Sequence, residues 1–175
     1  MVDDHILVTG GLGFIGAHFV HYFIKKHPTV KVIVLDKNTY AADYDRMQNL
    51  IQENKLIYIE GDIANQQTVS HLFETYGPKY VVNFAAESHV DNSIEGPEIF
   101  LETNVKGTFI LLEAARKKWM QAPQQLKSSY SDARFYQIST DEVFGSLGDK
   151  GKFSESSNYA PNSPYSASKA AADHW

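Results

Sequence analysis

Thr9-Gly10-Gly11-Leu12-Gly13-Phe14-Ile15-Gly16 is the stretch that decides the fold. It joins a short apolar run, His5 to Thr9, to the segment Phe14 to Lys26. In that segment Ile15, Phe19, Val20, Phe23 and Ile24 recur at helical spacing, so a strand runs into a helix through a glycine turn. Gly10, Gly13 and Gly16 remove Cβ atoms where the backbone must turn tightly and come close to a ligand. The helix start then offers unpaired N–H groups and the positive end of its dipole, which suits a pyrophosphate. Three glycines alone can mark any tight turn. Their place between strand and helix is what makes them a phosphate cradle.

A second strand, Lys31 to Leu35, follows, and Asp36 closes it about twenty residues beyond Gly16, where an acid can accept hydrogen bonds from a ribose diol. An acid there repels a 2′-phosphate, so NAD is expected over NADP; Lys37 beside it works weakly the other way. Further along, helices are expected over Asp43 to Glu53 and Gln66 to Tyr76, with strands over Leu56 to Ile59 and Tyr80 to Phe84. A long helix is expected from Pro97 to Trp119, with Pro97 suited to its first turn. Gln121 to Asp132 is polar and reads as a loop, the segment expected to move most. A fifth strand over Arg134 to Ser139 and a helix over Pro164 to His174 complete the pattern. Strands alternating with helices give an α/β fold, a Rossmann-type doubly wound parallel sheet, and residues 1–175 read as a single NAD-binding domain.

Composition narrows the function. The chain has 175 residues, is 43% hydrophobic, and can bury a full core. Without cysteine it has neither disulfides nor thiolate metal sites, which is compatible with a reducing cytoplasm. A net charge of −5 argues against nucleic acid as a partner. No run is long and apolar enough for a membrane span, and Met1 to His5 does not look like a secretory leader. His18 and His21 lie on the first helix, but no third ligand accompanies them, so no metal is expected.

Tyr165 and Lys169 are four residues apart on the last helix and share a face. A lysine ammonium beside a phenol favours the phenolate and makes tyrosine a usable base. Thr140 ends the fifth strand, at the sheet edge where such folds bind ligands.

Several segments, read together, resemble the extended short-chain dehydrogenase/reductases and, among them, the nucleotide-sugar 4,6-dehydratases that act on dTDP-glucose. They are the glycine turn, Leu35-Asp36-Lys37-Asn38-Thr39-Tyr40, Gly61-Asp62-Ile63, Phe84-Ala85-Ala86-Glu87-Ser88-His89-Val90-Asp91, Thr103-Asn104 with Gly107-Thr108, Ser139-Thr140-Asp141-Glu142-Val143-Phe144-Gly145 and Ser163-Pro164-Tyr165-Ser166-Ala167-Ser168-Lys169. The resemblance implies that Asp141 protonates the departing C6 hydroxyl and that Glu142 takes the C5 proton, after oxidation at C4 has acidified C5–H. Thr140, Tyr165 and Lys169 complete the implied catalytic set. Around NAD it implies Phe14 and Ile15 by their backbone, Asp36, Lys37, Asn38 and Thr39 at the adenosine ribose, and Asp62 and Ile63 at the adenine. Ala85, Ala86, Glu87 and Thr103 would line the cofactor, while Ser88 and Thr140 would face the sugar. It also implies a cytoplasmic homodimer, with the last helix and the long helix at the interface. Phe100, Phe109 and Trp119 are left to core or interface.

The match departs from the family at Asn92, where arginine is usual, at Phe144, where tyrosine is usual, and at Ala42-Asp43, where Gly-Asn is usual. Members run to about twice this length, so the substrate-gripping part is expected to be absent and the isolated chain inactive. Two alternatives stay open. One is another extended-family enzyme acting on a UDP-sugar, whether dehydratase, epimerase or decarboxylase. The other is a non-catalytic NAD-binding fragment.

Overall fold

The structure is a computed structural model that describes residues 4–175; the reading of the first three residues as leaderless lies outside the described residues. Five parallel strands form one sheet: β1 (His5–Thr9), β2 (Lys31–Asp36), β3 (Leu56–Glu60), β4 (Tyr80–Asn83) and, numbered after a small hairpin, β7 (Arg134–Gln137). Their spatial order is β3-β2-β1-β4-β7. The chain therefore winds outward from β1 to β3, then crosses back to β4 and β7 on the other side, as in the doubly wound fold.

Alternation along each strand supplies two core layers. Leu7, Ile33, Leu35 and Val81 point to one face. There they meet α3 (Gln66–Tyr76) and α6 (Thr108–Trp119) through Val69, Leu72, Phe73, Leu111 and Trp119. Ile6, Val8, Val32, Val34 and Val82 point to the other face. They meet α1 (Phe14–Lys26) and α2 (Asp45–Gln52) through Ala17, Val20, Met47 and Leu50. Each such aliphatic side chain contributes about 1.5–3 kcal/mol by leaving water. Because both faces are covered, β1 and β2 are near-continuous apolar runs rather than alternating ones.

Local chemistry sets the helix ends. The Asn65 side chain accepts hydrogen bonds from the Gln67 and Thr68 amides at the start of α3, and Gly77 ends it with φ 55°. The Ser163 hydroxyl accepts from the Ser166 amide and the Ser166 hydroxyl from the Ser163 amide, a capping box that starts α7 (Pro164–Asp173), with Pro164 in its first turn.

Several boundaries differ from the sequence expectation. β2 extends to Asp36, and β4 stops at Asn83, one residue short of the expected end. α2 starts at Asp45 because the Asp43 amide is drawn to the Leu12 carbonyl of the glycine turn. A short helix, α4 (Val90–Glu95), lies where none was expected. The loop after Trp119 is not structureless. It contains a hairpin of β5 (Met120–Ala122) and β6 (Gln125–Leu126), turned at Gln124 with φ 60°, and a 3-10 turn Ser128–Tyr130. Lys127 ties it down by donating to the Lys118 carbonyl at 2.7 Å. β7 ends at Gln137 rather than Ser139.

The main departure is in the long helix. It begins as α5 (Pro97–Phe100), widens into a π-helical segment Leu101–Gly107, and continues as α6. Such widening shifts which side chains face inward. Asn104 is 1% exposed within the widened turn. Its Oδ1 accepts from the Glu87 amide at 2.8 Å, and its Nδ2 donates to the Glu87 carbonyl and to Ser168 Oγ, both at 2.9 Å. A Cβ on Gly107 would sit 2.6 Å from Ile63, so this helix side packs directly on the loop after β3.

Replacing Asn104 by Ala leaves the Glu87 backbone groups without partners, and should cost about 1–3 kcal/mol of stability. The exposed change Lys117→Ala should stay within about 0.5 kcal/mol. Urea unfolding followed by circular dichroism measures both; equal midpoints would remove Asn104 from this role.

Candidate functional site

At the carboxyl ends of the strands, where the chain reverses between β1 and β4, an open cleft of about 600 Å³ cuts into the molecule. It is lined by Gly10, Gly13, Asp36, Lys37, Thr39, Asp62, Ile63, Ala85, Ala86, Glu87 and Thr103, so most of the residues expected around a dinucleotide are gathered at one place. Leu35, Ala41, Ala42, Gly61 and Phe84 also line it and were not foreseen. Leu35, Gly61 and Phe84 are the first residues of quoted motif segments, which was the available signal. Ala42, one of the departures from the family pattern, thus stands in the cleft wall.

Two glycines shape the cleft for different reasons. Gly10 has φ +67°, and a Cβ on it would lie 2.6 Å from the Ala85 nitrogen. Gly13 is open: a Cβ there would meet only the Gly10 carbonyl, at 3.3 Å, and would otherwise project into the cleft. Gly13 also caps α1 without any side-chain bond, and no acid stands in the first turn of that helix. The helix start therefore keeps its amide donors for an anion. Phe14 and Ile15 are 66% and 65% exposed, and Gly16 is buried against the turn, where a Cβ would collide with the Gly10 carbonyl. None of these three side-chain positions lines the cleft; what they offer is backbone.

Asp36 is 9% exposed and does two jobs. Its Oδ2 accepts from the Leu12 amide and its Oδ1 from the Asn38 amide, each at 2.9 Å, so it braces the glycine turn from the end of β2. Each carboxylate oxygen keeps a further lone pair for a hydroxyl. Asn38 has φ 54°, a conformation asparagine tolerates, and its side chain is outside the cleft. Across the mouth, Tyr40 Oη donates to Glu87 Oε2 at 3.3 Å, and the Lys37 ammonium lies 2.6 Å from Asp62 Oδ2.

Thr140, Asp141, Glu142, Tyr165 and Lys169 form a second group, beside the cleft rather than in its wall. Asp141–Phe144 is a 3-10 turn capped by Thr140, whose Oγ1 accepts from the Glu142 amide at 3.3 Å. The turn packs against α7, which carries the half-buried Tyr165 phenol. Burial pushes that phenol above its ordinary pKa, and the charges of Glu142 and Asp141 push it further, while the nearby Thr140 hydroxyl pulls it back. Ser88 lies exposed on the loop between the two groups. Asn104 joins them, gripping Glu87 in the cleft wall and Ser168 on α7. A polar residue buried in an otherwise apolar helical stripe was the signal that could have found it.

The expected partnership of Lys169 with Tyr165 needs correction. Lys169 is 4% exposed, and its Nζ donates to the Ile138 carbonyl at 2.5 Å. The two side chains do share a helix side, but the lysine stem reaches the strand end, where a bare carbonyl beyond β7 holds the ammonium. Burial lowers the Lys169 pKa, partly offset by Asp173, one turn further on. Burial first, and then the charges of Glu142 and Asp141, leave the phenol raised rather than lowered. The two histidines on α1 are occupied separately: His18 Nδ1 pairs with the Phe14 carbonyl and His21 Nε2 with the Arg46 carbonyl.

Comparison with known proteins gives these features a context. A dTDP-glucose 4,6-dehydratase of Xanthomonas campestris pv. campestris (strain B100) is 49% identical over 168 residues, which is 96% of this chain and 46% of that protein. The crystal structure of a dTDP-glucose 4,6-dehydratase from Bacillus anthracis in complex with NAD matches with a TM-score of 0.80 at 40% identity, covering 98% of this chain and 48% of the other. A UDP-Glc/GlcNAc 4-epimerase from Campylobacter jejuni matches with a TM-score of 0.83 at 26% identity, covering 98% and 47%. The fold is thus common to enzymes of different reactions, and this chain spans about half the length of the relatives it matches. The family model described as GDP-mannose 4,6 dehydratase matches residues 7–175, and the chain belongs to that family.

Proposed function

We propose that this chain is the NAD-binding and proton-transfer portion of a nucleotide-sugar 4,6-dehydratase that converts dTDP-glucose to dTDP-4-keto-6-deoxyglucose. One observation carries the reading: the turn Thr140-Asp141-Glu142 brings two acids near enough to the phenol of Tyr165 for their charges to raise it, beside a cleft lined by the residues expected around a dinucleotide. An epimerase needs a hydroxyl and a tyrosine, whereas loss of water needs an acid and a base as well. The 49% identity to a dehydratase, against 26% to an epimerase of the same fold, favours the same choice.

The cleft fits NAD by its own geometry. Gly13 leaves open the space a Cβ would fill, the start of α1 supplies free amides for the pyrophosphate, and Asp36 stands where a ribose diol would meet it. Asp62 and Ile63 serve the adenine, and Ala85, Ala86, Glu87 and Thr103 the far wall. The chemistry that NAD supplies when bound is removal of hydride from C4 of the sugar and its return to C6.

The chain's own residues move the protons. Tyr165 accepts the C4 hydroxyl proton, assisted by Thr140. The resulting ketone acidifies C5–H, and Glu142 takes that proton. Asp141 protonates the C6 oxygen as the C6–O bond breaks, so hydroxide leaves as water. Lys169 shares the helix side of Tyr165, but its ammonium is held at the Ile138 carbonyl. The reading extends to a homodimer in the cytoplasm. The homodimer is supported by exposed apolar residues on α4, the π-helical segment and α6, and just after α7: Ile94, Leu101, Phe109 and Trp175. Among the described residues no helix is long and apolar enough to cross a membrane.

Isothermal titration should find NAD bound more tightly than NADP, with Asp36→Ala weakening NAD by roughly tenfold, about 1.4 kcal/mol. Equal affinity for the two dinucleotides would remove Asp36 from the ribose. The paired acids are tested in a form extended to the length of the relatives. Glu142→Gln should slow deuterium uptake at C5 by about 100-fold or more while leaving C4 oxidation measurable. Unchanged uptake, read by mass spectrometry, would take the base role away from Glu142. The same substitution removes a negative charge that holds Tyr165 up. The alkaline-rising limb of C4 oxidation should therefore shift to lower pH, and a limb that stays in place would separate Glu142 from the phenol.

A further inference from the structure

The open end of the cleft contains a cation that has been committed elsewhere. Lys37 follows Asp36 at the exit of β2, on the cleft wall, and its ammonium is bound to Asp62 Oδ2 at 2.6 Å. Asp62 is itself fixed: its Oδ1 accepts from the Ala64 amide at 2.8 Å, a side-chain turn that anchors the loop after β3. Burial raises the Asp62 carboxyl, but the Lys37 ammonium, the Ala64 amide and the field of Lys106 outweigh it and hold the group below the usual carboxylate range, so it stays charged at neutral pH. Lys106, the other cation close to Asp62, is bound to Glu102 Oε1 at 2.5 Å.

A dinucleotide phosphorylated on the adenosine ribose is recognised by a cation at the end of the second strand, next to the position that Asp36 fills. Lys37 stands there. We propose that Asp62 is a specificity-determining residue, which excludes the 2′-phosphorylated dinucleotide by holding Lys37 away from the ribose. Exclusion of that ligand then rests on two acids acting differently. Asp36 repels the phosphate directly, and Asp62 withdraws a neighbouring charge that would attract it. The inference rests on the reading of this cleft as a dinucleotide site.

Asp62→Asn is the informative change, because asparagine keeps an acceptor for the Ala64 amide and loses only the charge that binds Lys37. Affinities for NAD and NADP are measured by isothermal titration on the unsubstituted chain, Asp62→Asn, Lys37→Ala and the double variant, with thermal unfolding to verify the fold of each. The NADP-to-NAD ratio of dissociation constants should fall roughly tenfold in Asp62→Asn, as a freed ammonium gains a charge-assisted bond to phosphate. Lys37→Ala alone should leave the ratio nearly unchanged, and the double variant should lose the tenfold gain. An unchanged ratio in Asp62→Asn would overturn the proposal. So would a gain that persists in the double variant, since Asp62 would then act by its own charge and not through Lys37. Failure of the unsubstituted chain to bind NAD is a separate result, and it would overturn the cofactor reading beneath both.

Discussion

At the end of β1 the backbone of Gly10 passes so close to that of Ala85 that a Cβ could not stand between them, and the site depends on that approach. The chain reverses its winding here, between β1 and β4, so two strand ends separate and leave a crevice. Without the approach the glycine turn would ride higher, and the start of α1 would no longer face the crevice. Gly16 repeats the constraint one turn later, since a side chain there would strike the Gly10 carbonyl. Asp36 completes the corner from the neighbouring strand by accepting the Leu12 amide. A residue that could be taken for a ligand contact alone is also a brace for the turn it serves.

The second half of the site is coupled to the first through Asn104. Its amide spans from Glu87, in the cleft wall, to Ser168, between Tyr165 and Lys169 on α7. That reach requires the widened turn in the long helix, which sets Asn104 inward while Gly107 packs on Ile63. A regular helix would satisfy more of its own backbone in the usual way. Here the departure from regularity places an amide where one loop and a helix need one, in keeping with the frequent occurrence of π-helical turns at functional sites.

The two halves differ in how their charges are held. Around the cleft the acids are engaged, Asp36 by backbone amides and Asp62 by Lys37 and Ala64. Around Tyr165 the charges of Glu142 and Asp141 add to burial in raising the phenol, and the Lys169 ammonium is bound at the Ile138 carbonyl.

Much of this was legible along the chain. Apolar runs of four or five residues, a helical period and three glycines determined β1, the turn and α1, because such local patterns leave few alternatives to a buried parallel strand followed by an amphipathic helix. Asp36 could be placed for the same reason, as strand length fixes where β2 ends. The capped start of α7 likewise follows from local chemistry at Ser163 and Ser166. What tertiary structure decided lay in contacts between distant residues. The helix expected from Pro97 to Trp119 widens at Leu101 because Asn104 has partners at Glu87 and Ser168, which no local period reveals. Tyr165 and Lys169 share a helix side as their spacing dictates, yet the ammonium goes to Ile138, because a carbonyl freed at the end of β7 lies within its reach. The pairing of Lys37 with Asp62 also arises only when β2 and β3 lie side by side. Sequence spacing determines which way a side chain sets out, and the neighbours that folding brings up determine where its charge comes to rest.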